Sequence, residues 1–228
     1  MDVLRAEVRK AVTLPYTWLT VMATLALTLL VALVLASRSV DSIMATDIDA
    51  LLSVPDYLAY GVITLGVLAG STEYQGGEIR TSLTAVPRRT SLLAAKYASL
   101  TVLAAGLSLV SMVVAVGVMG LAFEARVWPL VLRGAAYLVV VSLLSFPLGL
   151  LVRSTTGALT SALMLLVIAP LVLTPVAGWS QWLPTRLGDE LLLTKTRPPG
   201  AAATMAALSA WVVVTSAAGA GRFCLDDS

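Results

Sequence analysis

The chain has no histidine and a single cysteine, Cys224, among its 228 residues. Imidazole acid/base chemistry, histidine or multi-cysteine metal sites and intrachain disulfides are thereby excluded. Charge is scarce too: 12% of residues are Asp, Glu, Lys or Arg against 58% hydrophobic, and the mean hydropathy is +0.93. A soluble globular chain carries roughly 25% charged residues, so a soluble fold is excluded. The formal net charge of +2, without a basic face interleaved with aromatics, argues against a nucleic-acid partner.

Catalytic and energy-coupling motifs are missing as well. There is no GxxxxGK[ST] phosphate loop, no HExxH, no Ser/His pair and no buried pair of aspartates suited to intramembrane proteolysis. The chain is therefore expected not to be an enzyme and to hold no cofactor of its own. No apolar segment carries an ionisable residue near its middle, which argues against an ion-coupled transporter with midplane charges.

What is present is long apolar sequence. Five intervals contain no Lys, Arg, Asp or Glu, namely Ala11 to Ser37, Tyr57 to Thr72, Tyr97 to Phe123, Gly134 to Val152 and Pro198 to Gly221, and a sixth, Ser154 to Gly188, contains only Arg186 close to its end. A bilayer-crossing helix needs roughly 20 mostly apolar residues. The expected fold is all-α, a single polytopic membrane domain with spans near 15–37, 57–72, 92–121, 132–152, 156–177 and 200–221. The polar stretches between them are too short to fold separately. The first run exceeds the roughly 7–15 residues of a signal-peptide core, so it is read as a retained span.

Ahead of that span, Leu4, Val8, Ala11 and Val12 form one helical stripe while Arg5, Arg9 and Lys10 lie elsewhere. This is the pattern of an amphipathic elbow helix at a membrane surface. Asp41, Asp47, Asp49 and Asp56 precede the second span, whereas Arg80, Arg88, Arg89 and Lys96 follow it. Positive residues stay inside, so both termini and the loop between spans two and three are expected in the cytoplasm. Pro147, Pro170 and Pro175 mark expected kinks. Gly66 and Gly70 form a GxxxG pair suited to close helix contact.

The polar interruption STEYQGGEIRTSLTAVPRRTSLLAAKY, Ser71 to Tyr97, is the most informative stretch. Ile79, Leu83 and Val86 fall at i, i+4 and i+7, predicting a short helix from about Gly77 to Pro87 with one apolar stripe and a charged rim. Pro87 ends it, and Ser91 is the expected N-cap of the third span. Docking into a groove on a cytoplasmic protein would bury the stripe; an interfacial helix closing the loop would carry the same pattern.

The run Glu73-Tyr74, Gly77, Ile79-Arg80-Thr81, Leu83, Pro87-Arg88-Arg89 and Ala95-Lys96 resembles the inner loop of type-2 ATP-binding-cassette (ABC) exporter permeases, small six-span bacterial membrane subunits. Glu78 departs from that pattern, where a small polar residue is common. The resemblance implies a permease without its own nucleotide site, in the bacterial plasma membrane, working with a second permease copy or paralogue. A separate cytoplasmic ABC ATPase would bind ATP and magnesium. It further implies that the 77–86 helix is a coupling helix, with Glu73, Tyr74, Gly77, Glu78, Ile79, Arg80, Thr81, Leu83, Pro87 and Arg89 meeting the ATPase and Arg5, Arg9 and Lys10 adding an elbow contact.

The expected function is export of an amphipathic or hydrophobic compound, an antibiotic, peptide or lipid, by alternating access, with antibiotic resistance as one setting. Thr64, Ser108, Ser111, Ser142 and Ser145 offer hydroxyls along a substrate path, and Thr24 and Thr28 offer two more, although helix packing also uses such residues. The alternative is a non-transporting membrane anchor that recruits a cytoplasmic partner through the same helix.

Overall fold

Pro15 cannot donate a backbone hydrogen bond, and it is where the first helix gives way to the second. A computed structural model of the chain describes residues 2–41, 47–75, 89–121, 124–152, 154–190 and 201–225. Helix α1, Asp2–Thr13, stops one residue before α2, Pro15–Asp41. The corner is fixed by Trp18, whose indole Nε1 donates to the Val12 carbonyl at 2.7 Å, and by Thr13 Oγ1 donating to the Lys10 carbonyl at 2.9 Å. The remaining long helices are α3, Asp47–Gln75; α4, Arg89–Val118; α5, Trp128–Val152; and α8, Ala201–Leu225. All regular structure among the described residues is helical.

Between α5 and α8 the chain is less regular. Ser154 caps α6 by accepting a bond from the Gly157 backbone N–H at 3.0 Å, the usual use of a serine there. The helix runs Thr155–Leu163, widens into a π turn over Met164–Ile168, then resumes at Ala169–Leu173. Pro170 explains the widening. It has no N–H, and its ring would press on the carbonyl four residues back, so the turn before it opens and Ala169 N–H reaches the Met164 carbonyl instead. A 3-10 turn, Gly178–Trp182, and the short α7, Pro184–Gly188, then lead back to the bundle. There Leu183 and Leu187 are buried, and Trp211 of α8 donates its indole N–H to the Trp182 carbonyl at 2.8 Å.

Helices α3 and α5 form the centre, because glycines let their backbones meet. A Cβ on Gly66 would lie 2.4 Å from the Ser142 carbonyl oxygen, and one on Gly149 would lie 2.5 Å from that of Val67. The GxxxG pair thus serves a contact inside the chain. Around this seam the core is closed by Leu58, Ile63 and Val67 of α3, Ala104 and Met112 of α4, and Leu138, Phe146 and Leu150 of α5. Helix α2 packs with Thr20, Thr24 and Thr28 turned inward. Each hydroxyl donates to the carbonyl four residues back, at 2.8, 2.7 and 2.8 Å, so no polar group is stranded.

Among the described residues, five helices are long and apolar enough to cross a membrane: Pro15–Ser37, Ile48–Ser71, Leu92–Val118, Trp128–Val152 and Thr155–Leu173. The outward faces carry Leu19, Met22, Leu30, Leu33, Val172 and Val213, more than half exposed. Water would not tolerate so broad an apolar surface, and a multi-pass membrane protein accommodates it. The sixth expected span is helical, but its described apolar part, Ala203–Gly219, is shorter, roughly 25 Å at 1.5 Å per residue.

Several boundaries differ from expectation, among them the start of α5 at Trp128 rather than near residue 132. Helix α3 starts at Asp47 rather than near residue 57, and α4 starts at Arg89, ahead of Ser91. Charge interrupts an apolar run without ending a helix, and acidic residues suit a helix N-terminus through its dipole.

Candidate functional site

The inward face of α1 is not its most apolar one. Glu7, Lys10 and Ala11 of α1 and Leu14 just beyond it, spaced i, i+3, i+4 and i+7, line a cavity of about 50 Å³ together with Tyr16 of α2, Lys96 and Ser99 of α4 and Phe146 of α5. Lys96 Nζ lies 3.1 Å from Glu7 Oε2, with side chains only 5% and 14% exposed. Removing two charges from water is costly, and the attraction offsets that cost only while both partners stay in place. The pair therefore specifies where α1 sits on α4.

The next residue turns the other way. Tyr97 donates its hydroxyl to Ser216 Oγ of α8 at 2.9 Å, and its ring meets Phe146 edge-on, with centroids 4.7 Å apart and planes at 70°. Phe146 thus borders both the cavity and this aromatic pair. At the same end of the bundle, Ser71 of α3 donates to Thr155 Oγ1 of α6 at 3.2 Å. Polar bonds therefore tie α1 to α4, α4 to α8 and α3 to α6 where the chain leaves α3 at Gln75 and re-enters at Arg89.

The expected coupling residues flank and fill that gap. Glu73 and Tyr74 belong to the last turns of α3, and Arg89 opens α4. Gly77, Glu78, Ile79, Arg80, Thr81, Leu83 and Pro87 lie outside the described residues. Of the elbow residues, Arg5 and Arg9 are exposed, whereas Lys10 is half-buried against the cavity. Glu7 was not foreseen. The i, i+3, i+4, i+7 spacing of Glu7, Lys10, Ala11 and Leu14 was the signal that could have found it.

The expected path hydroxyls divide in two. Thr64 lies in a shallow groove of about 310 Å³ between α2 and α3, its hydroxyl donating to the Tyr60 carbonyl at 2.8 Å. Ser108, Ser111, Ser142 and Ser145 are enclosed by helix packing at 0–1% exposure. Ser145 Oγ donates to the Ser142 carbonyl at 2.8 Å, while Oγ of Ser108, Ser111 and Ser142 has no partner among the described residues. Nor does any group of three or more Asp, Glu, His or Cys among those residues form a metal site.

Compared with known proteins, the chain matches no family model and no curated sequence.

Proposed function

We propose that the chain is the membrane-spanning permease subunit of an ATP-driven exporter similar to the type-2 ABC class. In this reading it crosses the plasma membrane six times with both termini inside, and moves an amphipathic or hydrophobic compound outward. The observation that carries the reading is the conjunction at one end of the bundle. The charged E-Y-x-x-G-x-I-R-T-x-L string joins α3 to α4, and beside it α1 is locked onto α4 by the buried Glu7–Lys96 pair.

The helix from Gly77 to Val86 would seat its Ile79, Leu83 and Val86 stripe in a groove of a separate ATPase, which binds ATP and magnesium. Closure of two such ATPases would push this helix in each of two permease subunits. Because α3 and α4 are tied to α6, α8 and α1 by polar bonds at that end, the push would pass to the spans as a rigid-body rocking from inward-facing to outward-facing. Arg5 and Arg9, exposed on α1, would add a second contact with the ATPase.

The enclosed serines favour a second reading, a membrane anchor that recruits the same partner without moving cargo. Inside-out vesicles holding the permease and its ATPase separate the two. ATP-dependent uptake of an amphipathic fluorescent compound supports the exporter; normal hydrolysis with no uptake across a panel of such compounds supports the anchor.

A further inference from the structure

Away from α1, the short helix α7 lies across α5 and assembles a second polar site. Gly188 permits the approach, since a Cβ there would stand 3.0 Å from Cδ2 and Cε2 of the Tyr137 ring. Tyr137 is 3% exposed, and its hydroxyl is hydrogen-bonded to Asp189. Arg186 of α7 reaches the end of α6, where Thr174 Oγ1 accepts from its Nε at 3.1 Å and its Nη2 at 2.9 Å. Between α3, α5, α6 and α7 these groups border a cavity of about 460 Å³, whose lining also holds Asp56, Tyr60 and Thr185, with an apolar wall from α6.

Thr185 carries the second observation. It is 6% exposed, and its Oγ1 is buried with no hydrogen-bond partner among the described residues. Folded proteins seldom leave such a hydroxyl unsatisfied, so the position calls for a polar group that the described residues do not supply.

The cavity's size is that of a small-molecule site, a mainly apolar hollow with a few fixed polar groups. Among the described residues its charged lining is two carboxylates and one guanidinium, and that guanidinium donates to Thr174. Phenol rings present a negative face that attracts cations. An anion would meet both carboxylates, and a neutral guest would forgo their attraction.

We propose that this cavity binds a protonated amine carried on an apolar body. The ammonium group lies toward Asp56 and Asp189 beside the Tyr137 and Tyr60 rings, and the apolar part lies along α6. The site is built by one chain and needs neither an ATPase nor a second copy, so it stands or falls separately from the exporter reading.

The test uses the purified full chain in phosphatidylglycerol nanodiscs, with 2-phenylethylammonium as probe and 2-phenylethanol as its neutral counterpart. The ammonium should bind at least tenfold more tightly than the alcohol. D56N and D189N should each weaken it about tenfold while leaving alcohol binding unchanged. R186Q removes the competing cation and should tighten ammonium binding, a gain that no misfolded protein produces.

Equal binding of ammonium and alcohol, unchanged ammonium affinity in both D56N and D189N, or weaker binding in R186Q would each overturn the proposal. Repeating the titration with phosphatidylethanolamine in the discs identifies the source of the guest. Competition assigns the site to a lipid's ammonium headgroup, and undiminished binding assigns it to a soluble amphipathic amine.

Discussion

Replacing Lys96 by methionine keeps most of its apolar stem but strands the Glu7 carboxylate, which is 14% exposed and 3.1 Å from the lost ammonium. Removing one partner of a buried pair costs about 3–5 kcal/mol. Glu7 lies on a terminal helix beside a cavity of about 50 Å³, so relaxation reduces the expected loss to about 2.5 kcal/mol. Glu7→Gln should be milder, about 1 kcal/mol, because the amide oxygen still accepts from the ammonium and Lys96 retains interactions besides Glu7. The diagnostic is the double variant. Glu7→Gln in the Lys96→Met background removes the stranded charge, so it should raise stability, leaving a total loss of about 1.5 kcal/mol and a coupling energy of about 2 kcal/mol. Reversible unfolding of the detergent-solubilised protein by dodecyl sulfate measures all four corners of the cycle. If Glu7→Gln lowers the stability of Lys96→Met, or if the coupling is below about 0.5 kcal/mol, the pair does not hold α1 in place.

Two further outcomes follow from the packing. Gly66→Ala would set a methyl 2.4 Å from the Ser142 carbonyl oxygen and 2.1 Å from Ser145 Oγ; the α3–α5 seam must part, and a loss of about 2–3 kcal/mol is expected, read as a lower melting temperature by fluorescence-detected size exclusion. Tyr97→Phe deletes the bond to Ser216 but keeps the edge contact with Phe146, so it should cost about 1 kcal/mol. Tyr97→Ala, which also empties the ring site, should cost about 3–5 kcal/mol, and equal losses for the two would show that the ring does not pack as described.

The fold was legible wherever burial alone decided it. Apolar runs gave the helices, and the Gly66/Gly70 spacing marked a close helix contact without saying which helix would meet it. Treating charge as a boundary cut α3 short, since Asp49 and Asp56 sit on a helix that continues past the apolar run. Pro170 was legible as an irregularity, but a proline does not announce whether the chain bends or opens a π turn. The Glu7–Lys96 pair was hidden because its partners are 89 residues apart, and the helical face of α1 that carries Glu7 is less apolar than its neighbour. The cavity beside α7 was hidden for the same reason. Asp56, Tyr137, Arg186 and Asp189 each look like isolated interface residues until α7 folds back over α5.

Leu83 is where the exporter reading is most exposed to test. With the ATPase isolated together with the wild-type permease, co-purification and lipid-stimulated hydrolysis are measured for Leu83→Asp, alongside circular dichroism to verify that the helices remain. A charge on the docking stripe must be desolvated to bind. The expected result is loss of both the ATPase and its stimulation with helicity unchanged; undiminished co-purification and hydrolysis would contradict the assignment of this segment as the contact through which ATP drives the spans.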